Sequence, residues 1–265
     1  MTLIAQTLFG VTDKVANAIE SLKMYEPPEG YFVAFSGGKD STVILDLVRR
    51  AGVKHETHYH LTTVDPPELV YHIREHYPYV IVDRPETTMW DLIVQHKMPP
   101  TRKMRYCCKV LKEGGGKNRR VVTGVRKAES TKRAGRRMVE ACLRDSSKIF
   151  VNPIIDWSDD NVWDYIRERG LLYCSLYDEG FKRLGCVGCP MSGSTGMVRE
   201  FERWPKYRDA YLRAFGRMLR ERETGARDQV MGHAGGRNAM VDIRARTPRR
   251  PGPGGIVRVT KGVPA

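Results

Sequence analysis

Short apolar runs alternate with stretches of helical periodicity through the first half of the chain, and Gly or Pro marks most of the changeovers. Val15, Ile19 and Leu22 follow Thr12-Asp13 at three- to four-residue spacing, which predicts a capped amphipathic helix. Pro27-Pro28-Glu29-Gly30 ends it. Tyr31-Phe32-Val33-Ala34-Phe35 is nearly continuous in apolar residues, as expected of a buried parallel strand. A glycine turn follows, and residues 42–48 begin the next helix. In residues 55–61, Thr57, Tyr59 and Leu61 alternate with His58 and His60, which predicts a second strand in which the histidines are sheet residues. Pro66-Pro67-Glu68 opens a helix toward His76, since proline suits a first helical turn. Residues 79–82 read as a third strand, 87–96 as a helix and 120–124 as a fourth strand. Residues 158–169 and 195–222 read as further helices, the second strongly basic.

This alternation predicts an α/β fold with a parallel sheet covered by helices on both faces, followed by a C-terminal helical segment. Ligands in such sheets sit beyond the carboxyl ends of the strands. Past Thr224 the composition turns to Gly, Pro and Arg with few bulky apolar residues. The expected division is a folded domain over 1–223 and a flexible basic tail over 224–265, which lacks the apolar surface to offset its ordering entropy. No apolar run approaches the ~18 residues needed to span a bilayer, so no membrane is expected. The first residues lack a charged segment followed by an apolar one, so a cytoplasmic location is expected.

Charge changes the picture. The net charge is +14, and residues 101–150 hold 16 Lys and Arg against 4 Asp and Glu. Residues 205–265 hold 14 against 5. Two basic blocks on a mildly acidic body suggest polyanionic partners, either phosphorylated small molecules or nucleic acid.

The candidate chemistry starts at Ser36-Gly37-Gly38-Lys39-Asp40-Ser41-Thr42, between a predicted strand and a predicted helix. Glycines let backbone N–H groups approach anionic oxygens, and the helix start adds the positive end of its dipole. Ser36, Ser41 and Thr42 offer hydroxyls, and Lys39 offers a point charge. Asp40 suits a helix start or a ligand to phosphate-bound Mg²⁺. The Gly-x-x-x-x-Gly-Lys-[Ser/Thr] loop is absent.

Residues 36–41 resemble the SGGxDS signature of the PP-loop ATP pyrophosphatases, which split ATP between its α and β phosphates. Three further stretches resemble the PAPS reductase family within that superfamily. They are Thr123-Gly124-Val125-Arg126-Lys127-Ala128-Glu129-Ser130 with Arg133, residues 152–158 with 162–166, and Tyr177-Asp178-Glu179-Gly180-Phe181 through Gly185-Cys186. The likeness covers roughly residues 12–205. It implies a Rossmann-like, adenine nucleotide alpha hydrolase-like fold that binds ATP with Mg²⁺. It further implies catalytic roles for Lys39 and Asp40, and nucleotide or acceptor contacts from Arg126, Glu129 and Arg133. Thr62, Thr63 and Asp65 follow the second strand, where the family has an Asp-Thr-Gly loop that this chain lacks.

Cys107-Cys108 and the pair in Cys186-Val187-Gly188-Cys189 provide four thiols, which suit zinc or a 4Fe–4S cluster. The adjacent pair followed by C-x-x-C resembles the iron–sulfur branch of the family, which implies a 4Fe–4S cluster on all four. Lys103, Arg105 and Lys109 flank the first pair and favour thiolates and anionic substrates. Cys142 and Cys174 read as incidental cysteines, with Cys174 a spare sulfur carrier at most.

The complete loop implies an enzyme that adenylates an acceptor, releases pyrophosphate and transfers sulfur, with nucleic acid among the acceptors. A sulfur donor or redox protein is then an expected partner. Two alternatives remain: a sulfonucleotide reductase using an internal or partner thiol, and a nucleotide-switched subunit that binds nucleic acid.

Overall fold

The computed structural model describes residues 3–7 and 10–232. The chain divides into two compact units at Thr224 and Gly225. A small antiparallel hairpin, β1 (Ile4–Thr7) and β2 (Gly10–Asp13), precedes α1 (Lys14–Met24). The cap of α1 is Asp13, whose carboxylate accepts from the Val15 and Ala16 amides at 2.8 and 3.0 Å. Then follow β3 (Tyr31–Ala34), α2 (Lys39–Ala51), β4 (His55–His60), α3 (Pro67–His76), β5 (Ile81–Asp83), α4 (Met89–Gln95), α5 (Tyr106–Leu111) and β6 (Arg120–Val122). The rest comprises α6 (Thr131–Ala134), β7 (Val139–Ala141), β8 (Ile149–Val151), α7 (Asp159–Arg169), α8 (Gly193–Arg203) and α9 (Pro205–Gly232).

Six strands form one sheet in the order β5-β4-β3-β6-β8-β7. All neighbours are parallel except the outermost pair, where β7 runs antiparallel to β8. The chain therefore steps outward from β3 through β4 to β5, then returns through α4 and α5 to β6 on the opposite flank of β3. That reversal opens a crevice beyond the carboxyl ends of β3 and β6, the switch point at which doubly wound sheets bind ligands.

The core follows from alternation. Tyr31 and Val33 point to one face, with Val122 and Val151 beside them, and α1, α2 and α7 cover them with Leu22, Ile44, Leu47, Val48, Val162 and Ile166. Leu69 and Ile73 of α3 pack with Phe35, Leu45 and Tyr59 in a second cluster. Phe32 points the other way, stacked on His58 at 4.2 Å and near His60 at 6.0 Å, so both histidines are sheet residues as expected.

Several expectations need correction. The sheet has six strands where four were expected, because the three-residue strands β7 and β8 carry too little pattern to register. The basic helix expected over 195–222 is two helices. Trp204 leaves helical geometry at φ −127° and ψ 71°, as the residue before Pro205 is pressed to do. Helix α9 continues to Gly232, so the first residues of the expected tail are helical, and residues 233–265 lie outside the described residues.

Candidate nucleotide loop and cysteine cavity

Residues 36–42 turn from β3 into α2 in the switch-point crevice. Gly37 adopts φ +70°, and a Cβ there would stand 2.7 Å from the δ-carbons of both Leu69 and Ile73, so only glycine fits. Gly38 caps α2 without a side-chain bond, so the first amides of this 13-residue helix find no partner in the cap residue itself. Ser41 laces the loop together: its Oγ donates to the Gly38 carbonyl at 2.8 Å and accepts from the Ser36 amide at 3.2 Å. The Ser36 hydroxyl reaches the same oxygen at 3.2 Å. Thr42 is buried.

Charge around the loop is mutually compensated. The Arg126 side chain is only 3% exposed, and it donates through Nε to Asp40 at 2.6 Å and through Nη2 to Asp159 at 2.9 Å. Its third contact is the Trp157 carbonyl at 3.3 Å. Lys39 Nζ lies 3.0 Å from Asp159 and 3.5 Å from Asp40. Partial burial opposes ionisation of Asp159, yet Lys39 and Arg126 hold its carboxyl below the usual range. Arg126 is likewise held above its ordinary value, against its own burial, by Asp40 and Asp159. Glu129 accepts from the Arg126 amide at 3.0 Å and pairs with Arg133, closing the turn after β6. Thus Arg126, Glu129 and Arg133 do gather beside the loop, but the Arg126 guanidinium is spent on carboxylates. Gly124 makes this approach possible, because a Cβ there would lie 3.0 Å from the Asp40 backbone.

Two residues to which the sequence assigned no role complete this half of the site. Asp159 opens α7, where an acidic first turn signals only a complement to the helix dipole. Tyr177 lies 138 residues from Lys39 and its oxygen accepts from the Lys39 amide at 2.9 Å. No sequence signal could have paired them.

The four cysteines converge. Cys107, Cys108, Cys186 and Cys189 line one small cavity with Thr62, Lys112, Pro100, Pro190 and Tyr211. Helix α5 supplies the adjacent pair, and Cys107 donates to Cys108, which keeps Cys107 a thiol and shifts Cys108 toward thiolate. Arg105 Nη2 reaches Cys108 Sγ at 3.4 Å. Burial pushes Cys189 up, whereas Cys186 donates to the Thr62 hydroxyl at 3.5 Å. Desolvation opposes the charge on Lys112, but Cys186 and Asp65 raise its pKa overall.

The hairpin bearing Cys186 and Cys189 is clamped from several sides. Val187 donates to the Val64 carbonyl at 2.8 Å, and Gly188 donates to Glu200 of α8 at 2.7 Å. Arg102 reaches the Pro190 carbonyl at 3.2 Å. Thr62 and Asp65 serve the turn between the two half-sites: the Thr62 amide donates to Asp65 at 2.6 Å. Thr63 there takes φ +66°, an outlier for a β-branched residue, and its hydroxyl accepts from the first amide of α4 at 3.0 Å. Cys174 is 1% exposed and its thiol is raised by burial, so it is a core residue and not an accessible sulfur carrier. Cys142 follows the edge strand β7 and does not line the cavity.

A glycine-built turn at the switch point of a mostly parallel sheet is the place at which α/β proteins of this architecture bind their ligands. Residues 30–192 match the phosphoadenosine phosphosulfate reductase domain, and the chain belongs to that family. It is 29% identical over 171 residues to an adenosine 5'-phosphosulfate reductase of Staphylococcus haemolyticus, covering 58% of this chain and 68% of that one. An uncharacterized protein of Methanocaldococcus jannaschii is 29% identical over 210 residues, 73% of this chain and 42% of that one. The chain thus spans under half the length of that archaeal relative. A phosphoadenylyl-sulfate reductase from Candida auris, solved with phosphate, shares the fold at a TM-score of 0.50 with 21% identity, over 65% of this chain and 89% of that one. Among the described residues no helix is long and apolar enough to cross a membrane.

Proposed function

We propose that the chain is an ATP-dependent sulfur-transfer enzyme that seats the nucleotide phosphates on residues 36–42. The observation that carries this reading is the loop itself. Its glycines, its helix start and the Lys39–Asp40 pair stand at the switch point, beside a second turn that leads to four thiols. In the first step an acceptor oxygen attacks the α-phosphorus of ATP, and the bond to the β-phosphate breaks to release pyrophosphate. Lys39 and the loop amides stabilise the charge that gathers on the leaving group, and Asp40 is placed to hold Mg²⁺. A sulfur nucleophile from a donor protein then displaces AMP from the adenylated acceptor. The basic segment 101–150 supports an anionic acceptor, nucleic acid included.

The donor set at the cavity fits an iron–sulfur cluster in chemistry: four sulfurs share one cavity, with Arg105 and Lys112 beside them to offset thiolate charge. Among the described residues, no three His, Cys, Asp or Glu side chains are drawn together tightly enough to hold a metal as they stand. Cys107, Cys108, Cys186 and Cys189 would hold the cluster, which would supply a site for sulfur or electrons. An iron and acid-labile sulfide assay on protein purified without oxygen tests this, and a colourless, iron-free chain would exclude it.

A second reading, sulfonucleotide reduction, is favoured by the naming of relatives such as the Staphylococcus haemolyticus protein. In that reaction a thiol from a partner attacks the substrate's sulfur and releases the nucleotide. A second thiol then frees sulfite and leaves a disulfide, so two thiols supply the two electrons. One experiment separates the readings. The purified chain is given ATP with Mg²⁺ and an acceptor mixture, or a sulfonucleotide with dithiol. Pyrophosphate release supports the first reading. Sulfite without pyrophosphate establishes the second.

A further inference from the structure

The N–H group of Lys39 opens α2 and points into the crevice where a bound phosphate would sit. It is already taken by the Tyr177 oxygen, at 2.9 Å. The phenol is fixed from behind: its ring meets Trp163 edge-to-face at 5.2 Å, and Tyr173 adds a second edge at 6.2 Å. The Tyr177 amide is bonded to the Cys174 carbonyl and its own carbonyl to the Gly180 amide, so the backbone cannot swing freely. Among the described residues no acceptor takes the Tyr177 hydroxyl proton, although the oxygen accepts from Lys39. A hydroxyl that accepts from a helix amide and keeps its proton free is a relay: it presents the donor character of that amide one bond further into the crevice.

We propose that Tyr177 is a phosphate-binding residue of the nucleotide site, its hydroxyl donating to a phosphate oxygen while it accepts from the Lys39 amide. This rests on the reading of residues 36–42 as a nucleotide loop and adds a ligand contributed by the segment before the cysteine hairpin. The contact makes that segment part of the nucleotide site, because residues 174–181 carry Tyr177 on one side and lead directly into Cys186.

Calorimetric titration of the full chain with ATP and Mg²⁺, and separately with inorganic pyrophosphate, tests it. Tyr177→Phe keeps the ring on Trp163 and removes only the donor. Its Kd for both probes should rise about tenfold or more, as expected for loss of a hydrogen bond to a charged acceptor. Tyr173→Phe, which loses only a 3.1 Å bond to Asp178, should bind like the native chain. A 3-fluorotyrosine at position 177 retains the ring and strengthens the donor, so it should bind at least as tightly even if the Phe variant folds poorly. Unchanged or tighter binding by Tyr177→Phe, with binding abolished in Lys39→Ala, would overturn the role of Tyr177 and leave the loop reading standing. Absence of binding by the native chain would overturn both.

Discussion

Replacing Arg126 with Met isolates the charge cluster at the loop, because Met keeps most of the stem volume and removes the guanidinium. The native chain sets two cations, Lys39 and Arg126, against two carboxylates, Asp40 and Asp159. Deleting one partner of a fully buried pair costs about 3–5 kcal/mol. Here the carboxylate side chains are 22% and 59% exposed, so water screens the charges left behind, Asp159 most of all. Screening reduces the ion-pair part to about 2 kcal/mol. The orphaned Trp157 carbonyl adds about 1 kcal/mol, for a total of roughly 2–3 kcal/mol. Urea unfolding at pH 7 reads this as a lower midpoint at unchanged slope. The gap should narrow in acid. The depressed carboxyl of Asp159 contributes stability that is present above its unfolded pKa and lost as pH falls through its folded pKa, and Met removes one cause of that depression. A loss below about 0.5 kcal/mol at pH 7, or one that persists undiminished when the carboxylates are protonated, would refute the reasoning.

Other perturbations reach different parts of the molecule. Gly37→Ala should cost about 2–4 kcal/mol, from a left-handed backbone and overpacking against Leu69 and Ile73, with nucleotide binding lost in the folded fraction; thermal unfolding and calorimetry check both. His72 is buried, its Nε2 has no partner among the described residues, and burial lowers its pKa to about 4. The unfolded chain therefore takes up a proton that the folded one refuses. Stability from this residue is complete above about pH 6.5 and declines toward pH 4 by up to about 3 kcal/mol. His72→Leu should flatten that part of the curve in urea titrations at stepped pH. Glu200→Gln weakens the acceptor for the Gly188 amide and the Ser192 hydroxyl, both at 2.7 Å, so the cysteine hairpin should loosen. Faster alkylation of Cys186 and Cys189, read by mass spectrometry, is the expected result, and native rates would show that the clamp is immaterial.

What could be read from the sequence was whatever local pattern encodes. Tyr31, Phe32 and Val33 announced a buried strand because the run is too short for a helix between its flanking glycine turns, and Gly37-Gly38 announced a loop because the backbone there needs freedom from Cβ. The four relevant thiols were legible as a set by type and spacing. Their convergence was implied only by the family likeness, since physically it depends on the crossover from β5 to β6 bringing α5 against the 186–189 hairpin. The roles of Asp159 and Tyr177 were hidden, although both lie in stretches that resemble the family, because each meets Lys39 only through tertiary packing. Arg126 stands beside the loop as the motif implied, but its bonds to Asp40 and Asp159 could not be read, because a motif shows where a cation lies and not which carboxylates reach it. The antiparallel edge strand β7 is too short for its alternation to speak.

The cancellation of charge around Lys39 bears on how any polyphosphate can arrive. Four formal charges sum to zero before a ligand enters, so the loop has no surplus cation to spend on a triphosphate and attracts it chiefly through N–H dipoles. A guest with several negative charges must bring its own countercharge or displace a carboxylate from its cation. Affinity should then track the concentration of divalent ions steeply and that of monovalent salt only shallowly, the reverse of the behaviour of an open basic groove.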